Sequence, residues 1–297
     1  MHLAGGTAEE EALLCRSLGD WTRSTTDAWL ASGLPHNRGV RLSAILAKNR
    51  AIEEISRAAA LGARLVPLSS PSMPRSVVHL HRPPVLLAIL GKWPPPQASI
   101  AIVGSRAATS YGLKVAKKMA AISVRGNLAV VSGLARGIDK VALQTTLDHG
   151  GWPVAVLGCG LDVVYPPEHR DLQATIAREG TLISEFPLGQ RPTRHAFPRR
   201  NRLISAFADK VLVIEAAQRS GALITAGHAL EQGKEVLAVP GPIDSPLSAG
   251  TNRLIFDGAA PILDEKTLLL HFGWSLPPDA PKNASQTAPT ALRQEGN

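Results

Sequence analysis

Cysteine is almost missing from this chain. Only Cys15 and Cys159 occur in 297 residues, far apart and without metal-ligand spacing around them. That excludes a zinc site and a disulfide framework, and it fits a reducing compartment. Aromatic residues make up 4%, so large rings are scarce as anchors. No run approaches the roughly 20 apolar residues of a membrane span. The first residues, with Glu9 to Glu11 and no basic leader, do not read as a secretory signal. The cytoplasm is therefore the expected compartment, with no membrane partner. Two nucleotide fingerprints are also missing. A dinucleotide-binding dehydrogenase needs G-x-G-x-x-G after its first strand and an acidic residue closing its second, whereas these positions read Gly104-Ser105-Arg106 and Ser132-Gly133. No G-x-x-x-x-G-K-[ST] occurs, which excludes a P-loop nucleotidase.

What is present is positive charge. The formal net charge is +8 and the isoelectric point is near 9.9, a balance that suits a polyanionic partner, with nucleic acid the obvious candidate. Apolar residues at helical spacing between Glu9 and Leu65, among them Leu14, Leu18, Ile45, Ile52, Ile55 and Leu61, predict a small all-α domain over residues 1–66. Prolines at 71, 74, 83, 84 and 94–96 mark residues 67–97 as a connector that no helix crosses.

Beyond the connector, short apolar runs recur with helical segments between them: Ser99 to Val103, Leu128 to Val131, Val154 to Leu157, Thr181 to Ile183, Lys210 to Ile214 and Val236 to Val239. Runs without polar alternation imply strands covered on both faces, and the helix-length intervals imply right-handed crossovers. The expected fold class is α/β, an extended Rossmann-like, doubly wound, mostly parallel sheet over residues 98–272. The stretch 273–297, rich in Pro, Ala, Ser, Thr and Gln, is expected to be a disordered tail.

In such a sheet, ligands sit at the carboxyl ends of the strands, and the loops there are rich in small residues and arginine. The run Ile100 to Val103 feeds Gly104-Ser105-Arg106 and then a helix, an arrangement that predicts a phosphate seat at the helix start. Arg191, Arg194, Arg199, Arg200 and Arg202 fall close together, with no carboxylate between Glu185 and Asp209. Leu203, Ile204 and Phe207 supply a buried stripe, so these cations gather at a helix start, where the dipole disfavours them and a bound polyanion would relieve them.

Gly104-Ser105-Arg106, the segments 132–139 (SGLARGID), 197–205 (FPRRNRLIS) and 220–226 (SGALITA), then Val239-Pro240-Gly241 and the segment 250–255 (GTNRLI), together resemble the DprA/Smf family of DNA-processing proteins. The resemblance covers roughly residues 98–265 and implies an extended Rossmann domain. It implies a homodimer that binds and protects single-stranded DNA and helps load the RecA recombinase during natural transformation. Carried onto matching positions, it gives phosphate contacts to Arg106 and to the cluster Arg199, Arg200, Asn201 and Arg202. Gly104, Ser105, Ser132, Gly133, Ser220, Gly221 and Thr225 line the pocket, and Phe197 stacks on a base. It assigns no catalytic residue, metal or cofactor. Two positions depart from the family pattern: Met73-Pro74 replaces a tyrosine-proline pair, and nothing after Phe272 resembles the winged helix that many members carry.

The rival reading is a Rossmann-type nucleotide-binding enzyme, similar to the LOG-type phosphoribohydrolases, in which a pocket carboxylate assists N-glycosidic cleavage. Glu215 stands at a strand end where such an acid is needed, but the Gly-Gly-x-Gly-Thr signature is missing. Glu215 is expected instead to order neighbouring arginines or serines. Cys159, between two glycines, reads as a small buried thiol rather than a nucleophile. Lys234 precedes its strand, so it falls on the opposite end of the sheet. The DNA-binding reading requires Arg106 and the arginines before Leu203 to form one cationic ledge.

Overall fold

The computed structural model describes residues 31–47, 50–96 and 98–274. Helices α1 (His36–Ala47) and α2 (Arg50–Leu61) precede strand β1 (Arg64–Pro67), the short helix α3 (Arg75–Val78) and β2 (Leu86–Gly91). The alternating part follows: β3 (Ser99–Val103), α4 (Ser110–Arg125), β4 (Ala129–Ser132), α5 (Ile138–Asp148), β5 (Pro153–Leu157), α6 (Arg170–Glu179) and β6 (Thr181–Ser184). Then come α7 (Ala196–Ala206), β7 (Lys210–Val213), α8 (Gly221–Glu231), β8 (Glu235–Ala238), α9 (Ala249–Phe256), β9 (Ala260–Pro261) and α10 (Glu265–Leu270).

The strands form one nine-stranded sheet in the order β1-β2-β6-β5-β4-β3-β7-β8-β9. From β6 to β9 all pairs are parallel, and β1 and β2 add an antiparallel edge. Every residue of β3 is buried, because the sheet is covered on both sides and the pleat sends alternate side chains to opposite layers. Ile100 and Ile102 join Leu212 and Ile214 in the layer with Met119 and Ile122 of α4 and Ala142 of α5. Ala101 and Val103 join Val211 and Val213 in the layer with Leu203 and Ile204 of α7 and Ala226 of α8. Each fully buried Ile or Leu contributes about 1.5–3 kcal/mol.

Two expectations from the sequence are corrected. Residues 67–97 are not merely a connector, since Leu86–Gly91 is β2, paired with β6 on one side and with the edge strand β1 on the other. Prolines flank this run without entering it, and a strand so bounded keeps its ladder. Likewise the 1–66 boundary cuts through β1. Of the helical module, residues 1–30 lie outside the described residues. Helix α2 does not stand apart, because Glu54 accepts the Leu188 N–H at 2.8 Å and Arg57 pairs with Asp162 at 2.8 Å. Leu42, Ile45 and Ala58 are buried, whereas Ile52 and Ile55 are exposed. The expected tail falls outside the described residues apart from its first two, where Trp274 packs beside Phe272. No helix among the described residues is long and apolar enough to cross a membrane.

The chain runs outward from β3 through β4 and β5 to β6, then returns to place β7 on the other side of β3. That reversal leaves a crevice at the carboxyl ends of β3 and β7, the topological switch point where open α/β sheets bind ligands. Replacing Leu87, fully buried in β2, with alanine is expected to lower stability by about 2–5 kcal/mol, read as a lower urea midpoint at unchanged m-value. A shift under ~0.5 kcal/mol would show that β2 is peripheral to the core.

Candidate nucleic-acid interface

A groove of about 660 Å³ opens at this switch point. Its walls bring together Gly104, Ser105 and Arg106 after β3, Phe197, Arg200 and Asn201 on α7, and Ser220, Gly221 and Thr225 at the start of α8. Arg106 is exposed, has no carboxylate within ion-pair distance among the described residues though it acts on the buried Asp139 through space, and holds its Cζ 5.0 Å from the Phe197 ring centroid. Tyr165 lies against the same ring, with centroids 5.6 Å apart. Arg194, also exposed, completes the cationic wall.

Arg200 has a different place. Arg200 is 3% exposed, and its guanidinium lies in the groove floor, donating to Gly133 O at 2.7 Å and to Val156 O, while Nε donates to Asn201 Oδ1 at 3.2 Å. Asp139 lies buried beside it and accepts the Gly133 N–H at 3.0 Å and the Ala135 N–H at 3.4 Å. Burial pushes Arg200 down to about 10, with Asp139 opposing the shift. Burial also raises the Asp139 carboxyl, held in check by Arg200 and the two N–H groups. Gly133 is the residue that lets these groups lie on either side of one point. A Cβ there would stand 2.8 Å from both Arg200 Nη2 and Asp139 Oδ2. Arg200 therefore holds the floor together rather than presenting a free charge to a ligand.

The phosphate seat expected after β3 is occupied from within. Helix α4 starts at Ser110 with Thr109 as its N-cap, and both Glu215 oxygens are engaged there. Oε2 accepts the Thr109 N–H at 2.9 Å and Oε1 accepts the Thr109 hydroxyl at 2.5 Å. A carboxylate at a helix start complements the dipole as a phosphate would. Gly112 permits the approach, since a Cβ there would fall 2.3 Å from Glu215 Oε2. The partner of Glu215 is thus a threonine and a backbone amide, not the arginines or serines expected. Both of its oxygens are committed to a cap.

The single arginine ledge is also corrected. With 3.6 residues per turn, positions 197, 200, 201 and 204 face the groove while 199 and 202 turn to the flank of α7. There both arginines converge on Glu185, whose side chain is 4% exposed, with Arg199 at 2.9 Å and Arg202 at 2.7 Å. The anion that relieves these cations at a helix start is an internal carboxylate contributed from just beyond β6. It precedes the arginine segment in sequence and reaches these cations only through the fold.

Ser132 is fully buried and its hydroxyl donates to Ile102 O at 2.7 Å, tying β4 to β3. Ser220 caps α8, its Oγ accepting the Ala222 N–H at 3.2 Å. Asn201 Nδ2 donates to Gly221 O at 3.1 Å and joins α7 to α8. The two late glycine motifs bind each other, since Asn252 Oδ1 accepts the Gly241 N–H at 3.1 Å and Asn252 Nδ2 donates to Gly241 O at 3.0 Å. Lys234 caps the carboxyl end of α7, donating to Ser205 O at 2.7 Å and Ala206 O at 2.8 Å. Arg194, counted in the arginine cluster, lines the groove, and so do Tyr165 and Asp139, which were not singled out. Asp139 carried a signal as the only acid in the 132–139 motif, whereas Tyr165 lies far from every motif in sequence.

The family model described as DNA recombination-mediator protein A matches residues 64–273. Protein Smf of Escherichia coli (strain K12) is 46% identical over 188 residues, 62% of this chain and 50% of that protein. DNA processing protein DprA of Streptococcus pneumoniae is 39% identical over 204 residues, 67% of this chain and 71% of that protein. The chain spans about half the length of several curated relatives it matches. Among solved structures, DprA from Streptococcus pneumoniae superposes with a TM-score of 0.79 at 30% identity, covering 90% of this chain and 94% of the other. DprA from Helicobacter pylori, whose structure is described for its single-stranded DNA binding mode, gives 0.63 at 27% identity, covering 71% and 95%.

Two outcomes follow from the groove floor. Arg200→Ala leaves Asp139 buried without its cation and is expected to cost about 3–5 kcal/mol of stability in urea unfolding. A loss under ~1 kcal/mol would contradict its supporting role. The Cys159 thiol, buried and donating to Val163 O, is pushed up to about 11 by burial. In a Cys15→Ser background it is expected to stay unreactive towards a disulfide reagent at pH 8 until the chain is unfolded. Labelling of the native protein within minutes would overturn that assignment.

Proposed function

The chain belongs to the DNA recombination-mediator protein A (DprA/Smf) family, and from that premise we propose that its switch-point groove binds single-stranded DNA. The observation that carries the reading is Arg106, an exposed guanidinium in no ion pair among the described residues, set over the Phe197 ring at the groove wall. A planar cation in that position pairs with a phosphate while the ring offers a surface to a base. Arg194 supplies a second exposed cation, and the open approach to Gly221, where an added Cβ would meet nothing within 4 Å, lets a backbone lie close to the start of α8. The buried Asp139, covered by Arg200, does not oppose a polyanion from the surface.

Contacts of this kind go to phosphates and ring faces, so sequence preference is low and affinity falls with salt. The finer roles belong to the same proposal: protection of incoming DNA, loading of RecA onto the strand, and a cytoplasmic homodimer. Exposed Phe256, Leu263 and Leu270, on and around α9 and α10, are apolar side chains suited to a subunit contact.

Anisotropy titrations of labelled single- and double-stranded oligonucleotides at two salt concentrations test the reading. Single strands are expected to bind more tightly. Arg106→Ala is expected to weaken binding about tenfold or more on unrelated sequences and to lower the salt slope by about 0.7. Unchanged binding in Arg106→Ala would overturn the assigned groove. Base release from nucleoside monophosphates, lost in Glu215→Gln, would favour the phosphoribohydrolase reading instead.

A further inference from the structure

On the flank of α7 opposite the groove lies a second cavity, of about 720 Å³, walled by the loop that follows α3, by α7 itself and by the carboxyl end of α8. We propose that it is a second phosphate-binding site, which takes the backbone of a DNA strand as it leaves the groove. This rests on the groove reading above and extends the DNA track beyond it.

Charge balance is the first argument. Arg199 and Arg202 draw on the same oxygen, Glu185 Oε1, so one carboxylate serves two guanidinium groups. Arg82, on the opposite wall, is exposed and has no hydrogen-bond or ion-pair partner among the described residues. His79 and His81 stand beside it on the same loop. The other acid of the cavity, Glu231, is held by His228 at 3.0 Å. A concave wall with surplus cations focuses positive potential into the space it encloses.

An unsatisfied donor is the second argument. Arg202 Nη1 is buried without a hydrogen-bond partner, and Arg202 lines this cavity. Buried polar groups are normally paired, and burial lowers the Arg202 pKa against the pull of Glu185. A phosphate in the cavity would supply acceptors on the side of Arg202 that Glu185 leaves unserved.

Continuity is the third. Pro198, in the first turn of α7, lines both the groove and this cavity, and Arg199 follows it. A strand passing over that turn would travel from Arg106 to Arg82 along one helix start. A free nucleotide carries the same chemistry, so the test must separate the two sources.

The experiment measures binding of the full-length protein to labelled oligothymidylates of about 5 and about 15 nucleotides, within the range of site sizes seen for single-strand binders. Wild type is compared with Arg82→Ala and Arg106→Ala. Because Arg82 is exposed and unpartnered, its removal leaves the fold intact, verified by an unchanged urea midpoint. Arg82→Ala is expected to match wild type on the short strand, to bind the long strand about five- to tenfold more weakly, and to lose about 0.7 of the salt slope on it. Equal affinities of Arg82→Ala and wild type at both lengths, with Arg106→Ala impaired, would overturn the second site while the groove stands. Unimpaired binding by Arg106→Ala would instead overturn the groove. In a separate arm, thymidine monophosphate is titrated by calorimetry. Binding that Arg82→Ala abolishes, without any effect on the long strand, would retain a phosphate site but overturn the strand track.

Discussion

A guanidinium sealed beneath the groove costs several kcal/mol in desolvation unless hydrogen bonds and an opposite charge surround it. Arg200 meets that requirement with the carbonyls of Gly133 and Val156, the Asn201 side chain and the buried Asp139. Each partner comes from a different place: the loop after β4, strand β5, α7 and the start of α5. Holding one cation therefore fixes four segments against one another at the strand ends. The requirement reaches back to the sequence through Gly133, where any side chain would enter the space between the two charges.

The same electrostatic logic sorts the remaining charges of this face. Glu215 sits at the start of α4, Glu185 takes Arg199 and Arg202, and Asp139 lies beside Arg200. Three internal carboxylates thus neutralise the helix dipole and the arginines that the fold itself needs. Among the described residues, Arg106 and Arg194 at the groove and Arg82 at the flank are exposed and in no ion pair. A net charge of +8 becomes informative only after this subtraction, because a paired arginine and a free one count alike in a composition.

The subtraction also bears on chemistry. A general acid must present a proton within reach of its substrate, whereas both Glu215 oxygens accept hydrogen bonds from Thr109. Cys159, the strand-end thiol, is buried with its pKa pushed up to about 11. The charged side chains exposed at the groove are those of Arg106 and Arg194.

Much of the architecture was legible along the chain. Six apolar runs mark β3 to β8 within a residue or so, because strands covered on both faces cannot alternate polar and apolar residues. The glycine- and serine-rich loops lie at their carboxyl ends, as the doubly wound pattern requires. Strand β2 was obscured by flanking prolines, and β1 by its junction with a helical segment. Site residues were harder to place, since residue type says what a side chain offers and not what claims it. Arg199, Arg200 and Arg202 are equivalent in a list of cations. The 100° step of a helix sends one under the groove and two to the opposite flank, and the acids near them, Asp139 beside Arg200 and Glu185 paired with Arg199 and Arg202, come from segments distant in sequence. The sequence by itself determined the layered α/β fold and the collection of small and basic residues at one end of the sheet. Tertiary structure alone decided which charges stay free for a ligand, because neutralisation acts through space between segments that the chain order keeps apart.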